Sequence, residues 1–510
     1  MIAEHAICPD IYHPAVARDG LLTRLRIPGG VLNVAQCVAI EQLLVATGLD
    51  YIQVTNRANL QLRALTTDLG KEVLTALTNC GLASSDRAVD GIRNIMLSPT
   101  AGIDPQELID VRPLAAAWHQ YLTDRPELGI LSTKFSVGFD GGGRVGIVDR
   151  PNDITLLAVG DREFDLYLGI DERGSAPIPV SIKLNVAECL PMLAAIAQTY
   201  RQGIELFGEN SPRKLRLRDV INHWGLTGFS EIVQREFTGS SRFIFKNLDR
   251  MSGERGAENP VLGFPRLVLT HTTGRKPPSR CVADSPFLTG NPSTRVASPS
   301  GEGESQVEDF SKTAESSEHL GTHQQSQPDR YYLGIVLPLG RWNRWQVKGL
   351  GEIAARYGSG AIRLTPWQNI ILPDIKADDL ERVQLSVTEL GLIHTANHPS
   401  SLLRACAGSS GCQFGATDTQ RDAIDLSNYL AANFTLDRSL SIHFSGCDKS
   451  CAQHDRADIT LWGVAGTNSY RLEIAETEAE IEASLSNLYS PAQVPMAIGQ
   501  LINASRAHPK

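Results

Sequence analysis

Residues 51–65 read YIQVTNRANLQLRAL and residues 361–375 read AIRLTPWQNIILPDI, and the two stretches share one pattern. Thr55 and Asn59 fall opposite Thr365 and Asn369, at an offset of 310 residues. Each stretch alternates apolar and polar side chains as a half-buried strand does, and each is followed by a helix-like segment that ends in Gly-Leu. The two stretches therefore indicate an internal repeat of long period.

Further matches occur in the same order along the chain. Phe135 in LSTKFSVGFD is placed opposite Phe444 in LSIHFSGCD, and residues 153–156 (DITL) match residues 458–461 (DITL). In each copy the periodicity predicts strand, helix, strand, helix, with antiparallel sheets covered by helices on one face. Helices are predicted at Val34 to Ala46, Lys71 to Cys80, Val347 to Tyr357 and Ala377 to Leu390. The repeat thus predicts an α+β protein of two similar modules about a pseudo-two-fold axis.

Length and composition set the broad class of the protein. At about 150 residues per domain, 510 residues suggest three or four domains. A net charge of −9 argues against nucleic acid or an anionic membrane as the main partner. No apolar run approaches the roughly 18 residues that span a bilayer, and the start of the chain does not resemble a signal peptide. These features predict a cytoplasmic protein.

One segment, residues 271–329, lacks the composition of a folded domain. It is rich in Ser, Gly, Pro and Thr and contains only seven large apolar residues, so it cannot bury enough surface to offset its conformational entropy. The sequence predicts a disordered linker there, between two globular halves.

Nine cysteines are unevenly distributed. Five are isolated and are predicted to be inert: Cys8, Cys37, Cys80, Cys189 and Cys281. The other four follow the spacing Cys406-x5-Cys412-x34-Cys447-x3-Cys451, two pairs that could converge on one metal centre. Zinc sites usually have two to four residues between paired ligands, so the x5 spacing fits zinc poorly. A [4Fe–4S] cluster accepts such irregular spacing, and coincidental buried cysteines are the remaining alternative.

The sequence around the last two cysteines narrows these alternatives. Residues 445–461 contain Ser-Gly-Cys-x3-Cys-x6-Asp-Ile-Thr-Leu, which resembles the motif of sirohaem-dependent nitrite and sulfite reductases. Residues 405–412 (ACAGSSGC) resemble the first cysteine pair of the same superfamily. The resemblance covers about 400 residues and implies that Cys406, Cys412, Cys447 and Cys451 hold a [4Fe–4S] cluster beside a tetrapyrrole. It also implies duplicated reductase-like modules, each a ferredoxin-like half-domain plus a larger α+β domain.

The same resemblance assigns a set of basic residues. A tetrapyrrole with several carboxylates needs fixed cations, preferably arginines. Arg57, Arg93 and Lys134 align with the basic residues of the reductase active face, which implies catalytic and substrate-binding roles. Arg63 is a further candidate for binding a tetrapyrrole carboxylate.

Two departures from the reductases bear on the reaction. Sulfite reductases have a second lysine where this chain has Ser136, and residues 448–449 are Asp-Lys where reductases commonly have Pro-Asn. Together with ARDGLLTRLRIPGG (17–30) and GCDKSCA (446–452), these resemble precorrin-3B synthases of cobalamin biosynthesis. Gln368-Asn369 is closer to the reductases. A ferredoxin-dependent nitrite or sulfite reductase with sirohaem, and a tetrapyrrole-binding protein without catalysis, are the alternatives.

The precorrin-3B synthase resemblance implies a particular reaction. Precorrin-3A would be hydroxylated at C20 by dioxygen and would close a γ-lactone. The cluster would relay electrons from a reduced nicotinamide or a ferredoxin, and a further non-haem iron, with His443 and His454 as candidate ligands, could activate oxygen.

Five regions follow from the repeat, the linker and the resemblance. They are a ferredoxin-like half-domain (1–86), a basic domain without cysteine ligands (87–270), the linker (271–329), a second half-domain (330–396) and a domain with the cluster (397–510).

Overall fold

The computed structural model describes residues 8–170, 176–209, 211, 213–239, 241–246, 317–436, 440–453, 457–474 and 488–507. Within these ranges the chain forms four five-stranded sheets and the helices that cover them. The mixture of helices and sheets agrees with the predicted α+β class.

The first half of the chain contains two sheets. Its first part comprises β1 (Ala15–Ala17), β2 (Gly20–Leu25), β3 (Val31–Asn33), α1 (Val34–Thr47), β4 (Tyr51–Val54), β5 (Leu60–Leu65) and α2 (Lys71–Asn79). Its second part comprises α3 (Arg87–Ile92), β6 (Asn94–Leu97), α4 (Arg112–Thr123), β7 (Ser136–Asp140), β8 (Ile154–Ala158), β9 (Glu163–Leu168), β10 (Ile178–Asn185), α5 (Val186–Phe207) and α6 (Leu217–Glu236).

The second half repeats this order. The half-domain comprises β11 (Gly321–Gln324), β12 (Arg330–Ile335), β13 (Arg341–Asn343), α7 (Arg344–Tyr357), β14 (Ala361–Leu364), β15 (Ile370–Lys376) and α8 (Leu380–Glu389). The larger domain comprises α9 (Pro399–Leu402), β16 (Leu403–Ala405), α10 (Gly408–Gly411), α11 (Thr419–Asn433), β17 (Ile442–Ser445), β18 (Ile459–Val464), β19 (Ser469–Ile474), β20 (Leu488–Tyr489) and α12 (Val494–Ala507). The helices predicted in both half-domains are confirmed to within a few residues.

The two half-domains exchange short strands. β13 from the second half pairs antiparallel with β4 of the first sheet, and β3 from the first half pairs antiparallel with β14 of the other. Apolar side chains of both sheets, with those of α1 and α7, form one continuous core. The half-domains are therefore one packed unit about a pseudo-two-fold axis.

The turns that enter the exchanged strands explain two of the glycines. Gly30 and Gly340 both adopt a positive φ, at +68° and +71°. A Cβ at Gly30 would lie 3.0 Å from the carbonyl oxygen of Leu364, and one at Gly340 would lie 2.7 Å from that of Val54. Each turn can therefore approach the opposite half closely because it has no side chain.

The repeated Thr and Asn residues hold equivalent turns. The Asn59 side-chain oxygen accepts from the Ile27 backbone N–H at 2.8 Å, and that of Asn369 accepts from Leu337 at 3.1 Å. Both asparagines also bond, through their backbone, to the threonine four residues earlier. The predicted duplication thus extends to individual hydrogen bonds.

The two larger sheets share a parallel core. β6, β7 and β8 are parallel neighbours, as are β16, β17 and β18. In each sheet an aspartate bridges two strands: Asp153 accepts from the backbone and hydroxyl of Ser136, and Asp458 does the same for Ser441. The predicted correspondence of residues 153–156 with 458–461 is confirmed.

The predicted pairing of Phe135 with Phe444 is wrong by four residues. Phe139 lies beside Leu156 and Phe444 lies beside Leu461, so the strand register makes Phe139 the counterpart of Phe444. The two LS-x-x-F motifs look alike, but one ends before its strand and the other lies within its strand.

The predicted linker ends earlier than residue 329. Residues 271–316 lie outside the described residues, whereas β11 pairs with β12 and Leu320 is buried. An edge strand needs only one neighbouring strand, so a polar stretch such as GTHQ can form one. No helix in the described part of the chain is long and apolar enough to cross a membrane.

Candidate functional site: a cysteine-lined cavity beside a basic face

The four motif cysteines lie in loops at the ends of two parallel strands. Cys406 follows β16 and Cys412 follows the short helix α10. Cys447 follows β17, with Cys451 four residues further on. β16 and β17 are adjacent and parallel, so the loops after them meet at one edge of the sheet. The sequence spacing is therefore a consequence of two neighbouring strands.

All four cysteines line a single cavity of about 300 Å³. Within the described residues, no three His, Cys, Asp or Glu side chains are close enough together to hold a single metal ion. The thiols surround the cavity instead of converging on one point. A polynuclear group held by separated thiolates fits this arrangement better than a zinc ion does.

Local backbone geometry supports this assignment. The Gly446 backbone N–H donates to the Cys406 sulfur at 3.2 Å, a contact that stabilises negative charge on a thiolate. A Cβ at Gly446 would lie 3.1 Å from the Gly415 Cα, and one at Gly408 would lie 2.6 Å from the Thr419 nitrogen. The residues present fit a [4Fe–4S] cluster: four sulfur donors, a backbone donor to sulfur and close backbone approach.

The first half of the chain holds the cysteine loops in place. The Arg63 guanidinium forms a bidentate ion pair with Asp19 at 3.0 Å and also donates to the Gly411 carbonyl. Arg18 donates to the Ser409 carbonyl at 2.7 Å. Arg63, predicted to bind a tetrapyrrole carboxylate, lines the cavity but is already paired. Its contacts are to Asp19 and to Gly411, in the loop that carries Cys412.

Arg57 belongs to a network of hydrogen bonds. Its guanidinium donates to the Ser136 hydroxyl at 2.7 Å, and Ser136 in turn donates to Asp153. Asp153 also accepts from Arg216 at 3.0 Å. Burial lowers the pKa of Arg57, and the Asp153 carboxylate partly opposes that shift. The network therefore fixes the position of Arg57 at the turn between β4 and β5.

The other two predicted basic residues lie in different surroundings. Lys134 is exposed, just before β7. Arg93 is 3% exposed and donates to Asp90 at 2.7 Å and to the Leu82 carbonyl. Arg93 is therefore committed to a buried ion pair and, like Arg57 and Lys134, is not among the residues that line the cysteine cavity.

Arg24, Arg26, Arg57 and Lys134, the four cations that act on the Cys8 thiol, are called the basic face below. The sequence analysis assigned no functional role to Arg24, Arg26, Arg216 or Cys8. Arg24 lines the cysteine cavity and also contacts the Cys8 sulfur at 3.2 Å, so it joins the cavity to the basic face. Arg24 lies on β2 and Arg26 follows the last residue of that strand, Leu25; the two arginines two residues apart were the available signal. Arg216 directly precedes α6 and donates to Asp153.

The histidines proposed as iron ligands remain untested. His443 is buried on β17, and its ring lies 6.4 Å from that of Trp462. His454 lies outside the described residues.

Comparison with known proteins identifies the domains. Residues 88–240 match the nitrite and sulphite reductase 4Fe-4S domain, and residues 323–390 match the nitrite/sulfite reductase ferredoxin-like half domain. The structure of the Mycobacterium tuberculosis NirA protein superposes with a TM-score of 0.67 at 18% identity, over 95% of this chain and 80% of that one. This likeness shows the fold.

Sequence relatives extend over most of the chain. The ferredoxin–nitrite reductase of Synechococcus elongatus is 29% identical over 89% of this chain and 78% of its own length. That of Zea mays is 26% identical over 87% and 69%, and the assimilatory ferredoxin-dependent nitrite reductase of Haloferax mediterranei is 26% identical over 90% and 73%.

These relatives overturn the precorrin-3B synthase prediction, and they give no support to precorrin-3A and dioxygen as partners. The residues that had favoured it have local structural roles. Ser136 links Arg57 to Asp153, and the Lys449 ammonium lies 3.3 Å from the centre of the Phe414 ring. Two regions of the chain, residues 88–240 and 323–390, therefore match domains of nitrite and sulfite reductases, and the fold agrees with that of a solved relative.

Proposed function

We propose that the protein is a ferredoxin-dependent nitrite reductase that uses a [4Fe–4S] cluster and sirohaem. The observation that carries this proposal is the cavity lined by all four motif cysteines, which Arg24 connects to a basic face. The names of the relatives supply the substrate and the electron donor.

The charge of the basic face favours nitrite over sulfite. At position 136, where sulfite reductases have a second lysine, the serine hydroxyl is bonded to Arg57 and Asp153. One fewer cation suits a singly charged oxyanion better than a doubly charged one, because each uncompensated charge is costly in a desolvated site.

The residues have separate tasks in this proposal. Cys406, Cys412, Cys447 and Cys451 would hold the cluster, which supplies electrons one at a time to the sirohaem when both are bound. Arg57 is held by Ser136 and Asp153, so it can attract an anion without moving. Lys134 is exposed and can deliver protons from solvent. Nitrite takes six electrons and eight protons to give ammonium and two waters.

The exposed residues near the cysteine cavity suggest where an electron donor would bind. Cys451 is exposed, and beside it Phe414 is 54% exposed under the Lys449 ammonium. An exposed apolar ring and a cation next to a cluster ligand suit the docking of an acidic electron-transfer protein.

Anaerobic turnover tests this proposal. The purified holoprotein with reduced ferredoxin should consume nitrite and release ammonium in equal amounts, and Arg57→Gln should lower kcat/KM by about tenfold or more, as expected when a charge-assisted contact is lost. Arg162→Gln, at an exposed position in the turn between β8 and β9, is the matched control. Sulfite turnover faster than nitrite turnover, or no turnover of either by protein loaded with sirohaem, would overturn the proposal.

A further inference from the structure

Cys8 lies in an unusual position beside the basic face. The residue precedes β1, and its backbone N–H donates to the Thr133 hydroxyl at 3.3 Å. The Arg24 guanidinium donates to the Cys8 sulfur at 3.2 Å. As a whole residue, Cys8 is partly buried. The thiol is therefore held between β2 and the segment before β7.

Cations from three separate segments act on this sulfur, and one of them, Arg24, contacts it. Burial by itself would raise the pKa of the Cys8 thiol, but Arg24, then Arg26, Lys134 and Arg57 lower it, and the net shift is downward. Arg24 lies on β2 and Arg26 directly after it, Arg57 lies in the turn between β4 and β5, and Lys134 lies in the segment before β7. Such a setting favours the thiolate, which is the nucleophilic form of cysteine.

Arg26 gives a second, independent indication that a ligand belongs here. Arg26 is 2% exposed, and one terminal nitrogen donates to the Thr133 carbonyl at 3.2 Å. Its Nε and Nη1 have no hydrogen-bond partner in the described part of the chain, and Asp90 is 3.9 Å from Nη1. Arg26 and Cys8 both donate to Thr133, to its carbonyl and its hydroxyl respectively, so the guanidinium and the thiol-bearing residue share one neighbour. A buried guanidinium with unused donors next to a thiolate can bind an added anionic group.

We propose that Cys8 is a redox-modification site that exchanges with small disulfides bearing carboxylates. The thiolate sulfur attacks one sulfur of the disulfide, a new S–S bond forms, the old one breaks, and the leaving thiolate keeps the electron pair. The carboxylates of the added group would bind the donors of Arg26 and Lys134. The modified residue would cover the basic face, so the modification blocks access of the oxyanion; this consequence rests on the proposed function.

The reactivity of Cys8 can be measured without turnover. Intact holoprotein is treated anaerobically with iodoacetamide over a pH series, and each cysteine is quantified by peptide mass spectrometry. Cys80 is the internal control, because it is also partly buried and its thiol donates to the Leu77 carbonyl. We expect Cys8 to react about tenfold faster than Cys80 near pH 7. Equal rates would overturn the proposal.

Two substitutions of Arg24 separate charge from folding. Arg24→Gln should move the midpoint of the Cys8 rate–pH curve upward, whereas Arg24→Lys should restore most of the original midpoint, because only the first loses the cation. Identical curves for the two variants would show that the cations do not activate the thiol and would overturn the proposal.

The identity of the reagent class is tested with two disulfides. Oxidised glutathione, which carries carboxylates, should form a mixed disulfide at Cys8 about tenfold faster than neutral hydroxyethyl disulfide, after correction for their rates with free cysteine. Equal corrected rates, or no adduct, would overturn the proposal.

The effect on the proposed activity is a separate readout. The glutathione adduct should lower nitrite turnover by about tenfold, dithiothreitol should restore it, and Cys8→Ser should be insensitive to the disulfide. Formation of the adduct without loss of turnover would overturn the blocking role. Formation of the adduct in a protein that turns over neither oxyanion would leave the thiol chemistry intact and contradict the proposed function instead.

Discussion

The loops after the parallel strands of the two halves share one framework but differ in content. The strand register that matches Phe139 with Phe444 places Ser98 at the position of Cys406, and Asp104, six residues later, at that of Cys412. In the first half, the loop that follows β7 is closed by hydrogen bonds to the Asp140 carboxylate, and it is called the sealed loop below. The carboxylate accepts from the Ser98 hydroxyl and from three backbone N–H groups, those of residues 142, 147 and 148.

The turns between the half-domain strands also differ, but here the first half carries the charged residue and the second half the buried one. Arg57 in the first half corresponds to Trp367 in the second, at the same offset of 310 residues. The Trp367 ring stacks on His319 with 4.5 Å between ring centres, and it is buried. The first half therefore contributes cations and a sealed loop, whereas the second contributes thiols and a packed aromatic pair. A duplicated framework allows this division because its Ser–Asp and Asn–backbone bonds are kept in both halves.

The largest expected effect is the loss of cluster iron when a cysteine of the second half is replaced. Cys412→Ser should lose nearly all cluster iron, because a missing thiolate leaves one iron without its protein ligand. Cys80→Ser, in the first half, should keep the iron content unchanged. Full iron and sulfide in Cys412→Ser would show that the cavity is not the cluster site.

The sealed loop of the first half should matter for stability alone. Asp140→Ala leaves buried backbone donors without an acceptor, so the free energy of unfolding should fall by about 3 kcal/mol. Iron content in the folded variant should not change. Chemical denaturation with metal analysis gives both quantities, with the exposed Asp161→Ala as control. Loss of iron along with stability would mean that the two loops are coupled.

Equivalent turns should respond equally to equivalent changes. Asn59→Ala and Asn369→Ala each remove the acceptor of one buried backbone N–H, so each should lower the free energy of unfolding by about 1–2 kcal/mol. A large difference between the two variants in the free energy of unfolding would show that turns of the same geometry do not contribute equally to stability.

The smallest expected effect is on the pH dependence of stability, and it arises from Glu107 in the first half. Burial, with Asp110 and Asp104 adding to it, raises the pKa of Glu107 from 4.5 to about 7, although a hydrogen bond from Gly102 opposes the shift. The folded form then holds a proton that the unfolded form releases between pH 4.5 and 7, so this contribution to stability is present at low pH and is lost as the pH rises.

Substitution of Glu107 tests that sign. In Glu107→Gln the decline in stability from pH 4.5 to 7 should be shallower by about 1 kcal/mol, a value reduced because the side chain is partly exposed. Denaturation at several pH values measures this slope. An unchanged slope would show that Glu107 is ionised in the folded protein throughout this range.

Much of the fold was predictable because the repeated residues make their contacts with near neighbours in the sequence. Thr55 and Asn59 make bonds within their own turn, so their reappearance at Thr365 and Asn369 is visible in the sequence. The strand exchange between half-domains was not predictable, because β3 and β13 are three residues long and carry no periodic signal.

The candidate site was predictable where its residues form a motif. The cysteine spacing reflects two adjacent parallel strands, so the sequence located the cavity. The roles of Arg24, Arg26 and Cys8 were not predicted, because they depend on tertiary contacts such as those of Arg26 and Cys8 with Thr133. The choice between reactions failed because it relied on Ser136 and Lys449, which have local partners in the structure.

The central claim is that the cysteine loops of the second half hold a [4Fe–4S] cluster beside the cations of the first. Analysis of iron and acid-labile sulfide in anaerobically purified protein, with electron paramagnetic resonance after reduction by dithionite, tests it most directly. We predict four irons and four sulfides per chain, beyond any sirohaem iron, and the signal of a reduced cubane cluster. Zinc without sulfide, or a full cluster in Cys412→Ser, would contradict the claim.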